Sequence, residues 1–292
     1  MRYLYVCNAT KDRIEKIELD NFEEVECIYI KDSEGEKLSP RGVCLYEDML
    51  ITSNYSNSSI SFLYKEGTIE KFYLGGGCTE ASVLDKYAYV ICEDSNTVVC
   101  FDIKAKDVVE IIPCGSSPHS LDICKRSNRI LISNMYSDNL SIIDVTKGGE
   151  VKNISVGAYP TKALWSSDGN YILVCESNLG YCGKGCVTII SLRNNSILHK
   201  IPVGNAPMDM YCDGRYCYVS NYGDGSISIV DINKYEEIKK IRIGGMVKAI
   251  TTDEKYIYVG DIYNNSLIRV NKIDESKKVI PMSGEPMGMI IN

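Results

Sequence analysis

The hexapeptide YCYVSN at 216–221 reads as a β-strand: apolar and amphipathic residues run to a small residue, and Asn follows. Counterparts recur as YLYVCN at 3–8, MLITSN at 49–54, YAYVICE at 87–93, RILISN at 129–134, YILVCE at 171–176 and YIYVGD at 256–261. Their last residues fall at 8, 54, 93, 134, 176, 221 and 261, so the gaps are 46, 39, 41, 42, 45 and 40 residues. That is the period of one four-stranded propeller blade.

Each string is followed by a polar turn and a second apolar strand, such as GSISIVDI at 225–232 or NLSIIDV at 139–145. A third strand such as EIKKIRIGG at 237–245 comes next, then a Gly-rich corner and a Pro that opens a fourth segment: SPRGVCL at 39–45, SPHSLDI at 117–123, YPTKALW at 159–165 and APMDMYC at 206–212. Pro suits the first residue of a strand, where no ladder N–H is required. In two repeats the Pro position is read as Cys78 and Met246. The first string, at 3–8, has no such segment before it, and EPMGMIIN at 285–292 matches APMDMYCD at 206–213. The expectation is an all-β, seven-bladed β-propeller of four-stranded antiparallel blades, one domain over 1–292. The C-terminal strand joins the N-terminal blade and closes the ring, which removes open sheet edges.

The strings YVSN at 218–221 and YVCN at 5–8, with VGAYP at 156–160 and VGNAP at 203–207, resemble those of the YVTN family of seven-bladed propellers. The resemblance covers the whole chain and implies the fold. It does not choose a function, because relatives include surface-layer repeats, DNA-binding propellers, cofactor-enzyme subunits and lactonases. Similarity to streptogramin lyases would imply a His pair and an acid near a metal. The chain has only His119 and His199, and His199 lies in an outer strand.

Net charge is −7 over 292 residues, which speaks against a basic groove for nucleic acid. No apolar stretch has the length of a membrane-spanning helix. The first residues already form a strand of the repeat, so no leader is expected, and the expected compartment is the cytoplasm. Thirteen Cys in such a chain are expected to be reduced, with Cys7, Cys92, Cys100, Cys175 and Cys217 buried in strands as small apolar residues.

In a propeller, the loops that enter the inner strands and leave the YVSN-like strands share one face, around the channel mouth. Two residues after the Pro position the repeats give Gly42, Glu80, Ser120, Lys162, Asp209, Lys248 and Gly288. Charges here would either pair around the rim or, with Arg41 and His119, form a polar ligand-binding mouth. The YVSN-like strands end in Asn8, Asn54, Glu93, Asn134, Glu176, Asn221 and Asp261. Asn suits a turn by bonding the following backbone, whereas Glu93, Glu176 and Asp261 could supply oxygens to a divalent cation. The loop SNLGYCGKGC at 177–186 places Cys182 and Cys186 three residues apart, a spacing open to a metal or redox reading.

Three functions stay open. One is a non-catalytic binding or scaffold propeller, a monomer with no cofactor, taking a protein or small ligand at the mouth. Another is a hydrolase or lactonase at the same mouth, with His119 or an acid moving protons and a metal assisting. The third is a thiol or metal sensor through Cys182 and Cys186.

Overall fold

The computed structural model describes residues 2–30, 35–180 and 183–292. They form seven four-stranded antiparallel sheets, the blades of a β-propeller. No helix of the described residues is long and apolar enough to cross a membrane. The chain divides into two compact units, 1–113 with 253–292, and 114–252.

In the first unit, blade 1 has the order Pro286–Ile291, Tyr3–Asn8, Arg13–Glu18, Glu23–Tyr29. Blade 2 runs Pro40–Tyr46, Met49–Asn54, Ser59–Leu63, Ile69–Tyr73, and blade 3 runs Cys78–Leu84, Tyr87–Cys92, Thr97–Asp102, Asp107–Pro113. The second, third and outer strands of blade 7, Tyr256–Asp261, Ser266–Asn271 and Lys277–Pro281, also lie here. The second unit holds blade 4 (Pro118–Cys124, Arg129–Asn134, Asn139–Asp144, Glu150–Ser155) and blade 5 (Pro160–Trp165, Tyr171–Glu176, Cys186–Ser191, Ser196–Pro202). It also holds blade 6 (Pro207–Cys212, Tyr216–Asn221, Ser226–Asp231, Glu236–Arg242) and Val247–Thr252, the inner strand of blade 7.

Blade 1 is assembled as the sequence implies, from both ends of the chain. Leu4, Tyr5 and Val6 pair antiparallel with Ile291, Ile290 and Met289. Burial is high in the two middle strands of a blade and low in its outer strand. Met49–Asn54 is buried throughout, whereas the outer strand Glu23–Tyr29 is almost wholly exposed. The apolar cores lie between neighbouring blades, because a central blade strand has a sheet on each side. Ile51 and Phe62 of blade 2 thus pack with Val90 and Phe101 of blade 3, with Phe62 edge-on to Phe101 at 5.7 Å.

The corner before each inner strand has a repeated backbone. Ser39, Ser117, Tyr159 and Ala206, each just before a Pro, have left-handed φ of 54°, 52°, 55° and 47°. Their carbonyls accept the N–H groups of Tyr55, Met135, Ser177 and Tyr222, the residues that follow the Asn or Glu. Where Pro gives way to Cys78, the preceding residue is Gly77, which takes φ 63° without strain and whose carbonyl accepts the Glu93 N–H.

Two readings are corrected. Val247, not Met246, occupies the Pro position of blade 7. It is fully buried and opens the strand, and the Ser220 hydroxyl bonds the Lys248 carbonyl as the Ser133 hydroxyl bonds that of Thr161, one residue after Pro160. Secondly, Cys217 is not a free thiol. It is joined to Cys212, its partner directly across the inner and second strands of blade 6, with Cα atoms 4.2 Å apart. Cys7, Cys92, Cys100 and Cys175 are buried free thiols.

The Gly of the corner is required by packing. A Cβ on Gly204 would overlap the Asn221 carboxamide, and one on Gly157 the Glu176 carboxylate. Gly204→Ala is therefore expected to cost about 1–3 kcal/mol in denaturant unfolding. Gly214→Ala, where nothing lies within 4 Å and only φ 98° is unfavourable, should cost less. Removal of 285–292 leaves the buried strand Tyr3–Asn8 with an uncovered edge. The truncated chain should melt earlier and self-associate in size-exclusion chromatography; a melting temperature equal to the parent's would refute this account of blade 1.

Candidate functional site

Side chains at the ends of the second strands do more than terminate turns. Asn54 Nδ2 donates to Ser59 Oγ at 3.0 Å and Ser61 Oγ at 2.8 Å, five and seven residues on, and the Asn is fully buried. Asn134 does the same to Asn139 and Ser141, and Asn221 to Ser226 and Ser228. Asn221 Oδ1 also accepts the Gly204 N–H at 3.1 Å. In blade 1 the residue seven on is Glu15, and Asn8 donates to its Oε1 at 2.7 Å and to Ser283 at 2.8 Å. Arg13 closes on the same oxygen at 2.8 Å, so this buried carboxylate is paired.

The proposed cation ligands are each engaged by the protein. Glu176, 2% exposed, accepts from Lys200 Nζ at 2.8 Å, from the Gly157 N–H at 2.9 Å and from the Cys186 thiol at 3.2 Å. Burial raises its pKa, but the bonds from Lys200 and Gly157 outweigh that and hold the carboxyl below the usual range. Glu93 does not end a strand: Cys92 pairs with Cys78 as Asn54 pairs with Pro40, which puts Glu93 one residue past the strand end, 3.8 Å from Arg41. Asp261 closes an Asx turn by accepting the N–H groups of Tyr263 and Asn264. Among the described residues no group of three or more His, Cys, Asp or Glu is arranged to hold a metal. Cys182 lies outside the described residues. Cys186 is pushed up to about 11 by burial and by the adjacent Glu176, so it is a protonated thiol at neutral pH.

The positions near the start of the inner strands sort by task. In the second unit, Ser120 is buried, shares a hydrogen bond with Ser133 at 2.7 Å and accepts the Ala163 N–H from blade 5 at 3.1 Å. Asp209 Oδ2 accepts the Ile250 N–H at 3.0 Å, and its Oδ1 is 3.8 Å from Lys162 Nζ. These side chains staple neighbouring inner strands. His119 donates from Nδ1 to the Thr161 carbonyl at 2.7 Å, a carbonyl being able only to accept, which fixes the tautomer. His199, in the outer strand of blade 5, is stacked at 3.6 Å on Tyr235, in the turn before the outer strand of blade 6. Lys248 lies one residue after the blade 7 start, not two, by the register given above.

In the first unit, Gly42 and Gly288 reflect close strand approach: a Cβ on Gly42 would meet Glu80 Cα at 2.9 Å, and one on Gly288 would overlap the Arg41 carbonyl. The Arg41 guanidinium lies over the Tyr55 ring at 3.6 Å, and the Tyr55 hydroxyl donates to Asp94 at 3.2 Å. Tyr55 belongs to a set that the charge-based reading passes over. One or two residues after the strand-end Asn or Asp stand Tyr55, Tyr136, Tyr222 and Tyr263. Tyr136 and Tyr263 are 66% and 69% exposed, and Tyr136 meets Tyr159 edge-on at 6.0 Å. The sequence signal for them is a Tyr in a turn, where no packing demands an aromatic ring.

No family model matches the sequence, and no curated protein matches it as a relative. Solved structures are similar in fold. A functionally unknown protein from Desulfotomaculum acetoxidans superposes with a TM-score of 0.82 at 13% identity, over 99% of this chain and 98% of that one. A streptogramin B lyase gives 0.75 at 15% identity, over 98% and 90%. The dihydro-heme d1 dehydrogenase NirN gives 0.73 at 14%, over 96% of this chain; the match spans 64% of that longer chain, less than two thirds. At such identity the likeness shows the fold alone, a seven-bladed β-propeller.

The Glu176 carboxylate gives a pH-dependent expectation. Its folded pKa is depressed, so its stabilisation is present above the unfolded carboxyl pKa of about 4.3 and is lost as pH falls through the folded value. Glu176→Gln should cost about 1.5–3 kcal/mol at pH 7 by urea unfolding, the range for hydrogen bonds to a charged group. The difference from the parent should shrink towards zero in acid. A cost that is the same at pH 7 and pH 2.5 would show that the charge plays no part.

Proposed function

We propose that this chain is a non-catalytic binding propeller that holds a protein or small ligand on the loop face where inner strands begin and second strands end. The observation that carries the reading is the Tyr136–Tyr159 pair, edge-on at 6.0 Å in turn positions with Tyr136 66% exposed. Rigid, amphipathic Tyr rings supply contact area at small entropic cost, and aromatic residues are enriched where surfaces are recognised. The polar side chains of the same positions support the reading by default of chemistry. Ser120, Asp209 and Glu176 are committed to neighbouring strands or to Lys200, and the two histidines sit in separate settings, one against a carbonyl and one against Tyr235. A nucleophile with a base in reach, the minimum for hydrolysis, is not found among these residues.

A thermal-shift screen of small molecules and peptides should yield compounds that raise the melting temperature, since a ligand of the native state stabilises it. Tyr136→Ser with Tyr159→Ser should abolish the gain while leaving the unliganded melting temperature nearly unchanged. Mass spectrometry of the recovered compound should find it intact. A compound converted to product would make this face an active site, and gains insensitive to both Tyr substitutions would place binding elsewhere.

A further inference from the structure

A second feature lies wholly within the first unit, at the end of blades 1 and 2 where the inner strands finish and the second strands start. Between the two blades is a cavity of about 360 Å³, within the range of about 300–1,000 Å³ that small-molecule sites occupy. Its floor is apolar: Leu45, Leu50, Leu63 and Ile69 come from the strands of blade 2. Its rim is polar and carries the turns Glu47–Asp48 and Lys65–Gly67.

Tyr5 sets this space apart from the corresponding places in blades 6 and 7. The equivalent tyrosines of other blades have partners inside their own blade: Tyr218 donates to Asp213 at 3.1 Å and Tyr258 to Asp253 at 2.9 Å. Tyr5 lines the cavity, is 9% exposed, and its hydroxyl has no hydrogen-bond partner among the described residues. The sequence explains the difference, because EPMGMIIN matches APMDMYCD and so Asn292 stands where blade 6 has Asp213. The Tyr5 side chain is nine-tenths buried, but its hydroxyl is not among the fully buried unpaired atoms of the described residues, so it meets the solvent of the cavity and is open to a ligand there.

We infer that this cavity binds a small organic cation with an apolar or aromatic body. The apolar floor takes the body. The charge follows from the rim. Lys16 is committed to Glu26 at 3.0 Å, which leaves Glu47 and Asp48, without an ion pair among the described residues, against Lys65 alone. The walls already accept a cation on an aromatic face, with Lys16 Nζ 4.6 Å from the Tyr3 ring centre. The protein's charge of −7 favours the approach of a cation over an anion. This site is separate from the Tyr136–Tyr159 surface and does not depend on it.

The test compares 2-phenylethylamine with 3-phenylpropionate and 2-phenylethanol on the full chain, by calorimetry and by NMR shifts of Tyr5, Leu50 and Leu63. The amine should bind with those residues shifted, at least about tenfold more tightly than the carboxylate, a difference of one decade in the dissociation constant. Glu47→Gln with Asp48→Asn, both exposed, should weaken the amine about fivefold and leave 2-phenylethanol unchanged. Tyr5→Phe should weaken the amine without loss of stability, because it removes a hydroxyl that bonds no other group of the described residues. Tyr136→Ser with Tyr159→Ser should change none of these values. Equal affinity for amine and carboxylate, shifts confined to other residues, or no binding at about 50 mM, weaker than any functional site of this kind, would overturn the inference.

Discussion

In six of the seven blades one buried polar side chain, at the last residue of the second strand, carries much of the local order. Asn221 shows how. Its amide nitrogen holds the third strand through Ser226 and Ser228, and its oxygen holds the preceding corner through the Gly204 N–H. A buried amide left without partners would be costly, so register, turn and corner are fixed together or not at all. The corner Gly is part of the same device, since any side chain at Gly204 or Gly157 would fill the space that Asn221 or Glu176 occupies. The two sequence signatures, the strand ending in Asn and the Gly before Pro, are thus opposite sides of one contact.

The device tolerates substitution where chemistry is preserved. In blade 5 Glu176 takes the Asn place and needs a cation, which Lys200 provides from the outer strand. In blade 1 the Asn is kept but the Ser seven residues on becomes Glu15, and Arg13 balances it. Each carboxylate brings its own counter-charge within one sheet. Acids that look available to a ligand in the linear sequence are therefore engaged in the fold.

This explains what could be read in advance and what could not. The fold was legible because the repeat fixes strand order, and because EPMGMIIN supplies the one missing inner strand. Contacts between blades are invisible to a repeat alignment. Ser120 and Asp209 read as mouth residues because they vary, yet each accepts an N–H from the next blade's inner strand. Gly42 and Gly288 vary for a different reason, the closeness of neighbouring strands. The place of Val247 was misread by one residue for want of a Pro to mark it, and Cys217 because its partner stands opposite only once the strands are paired. The exposed tyrosines were in plain view, but a Tyr in a turn carries no motif.

The make-up of blade 1 has a bearing on how the protein is produced. Every other pair of neighbouring strands within a blade is close in sequence, so those sheets can form as the chain grows. The strand Tyr3–Asn8 waits for Pro286–Ile291, made about 280 residues later. At a synthesis rate of about 5–20 residues per second that delay is roughly 15–60 s. During it, one apolar strand edge has no native partner and is open to chaperones or to other nascent chains. The ends also lie side by side once folded, so new termini cut into a turn between blades, with the old ones joined, would turn the most distant pairing in the chain into a local hairpin and shorten that exposure.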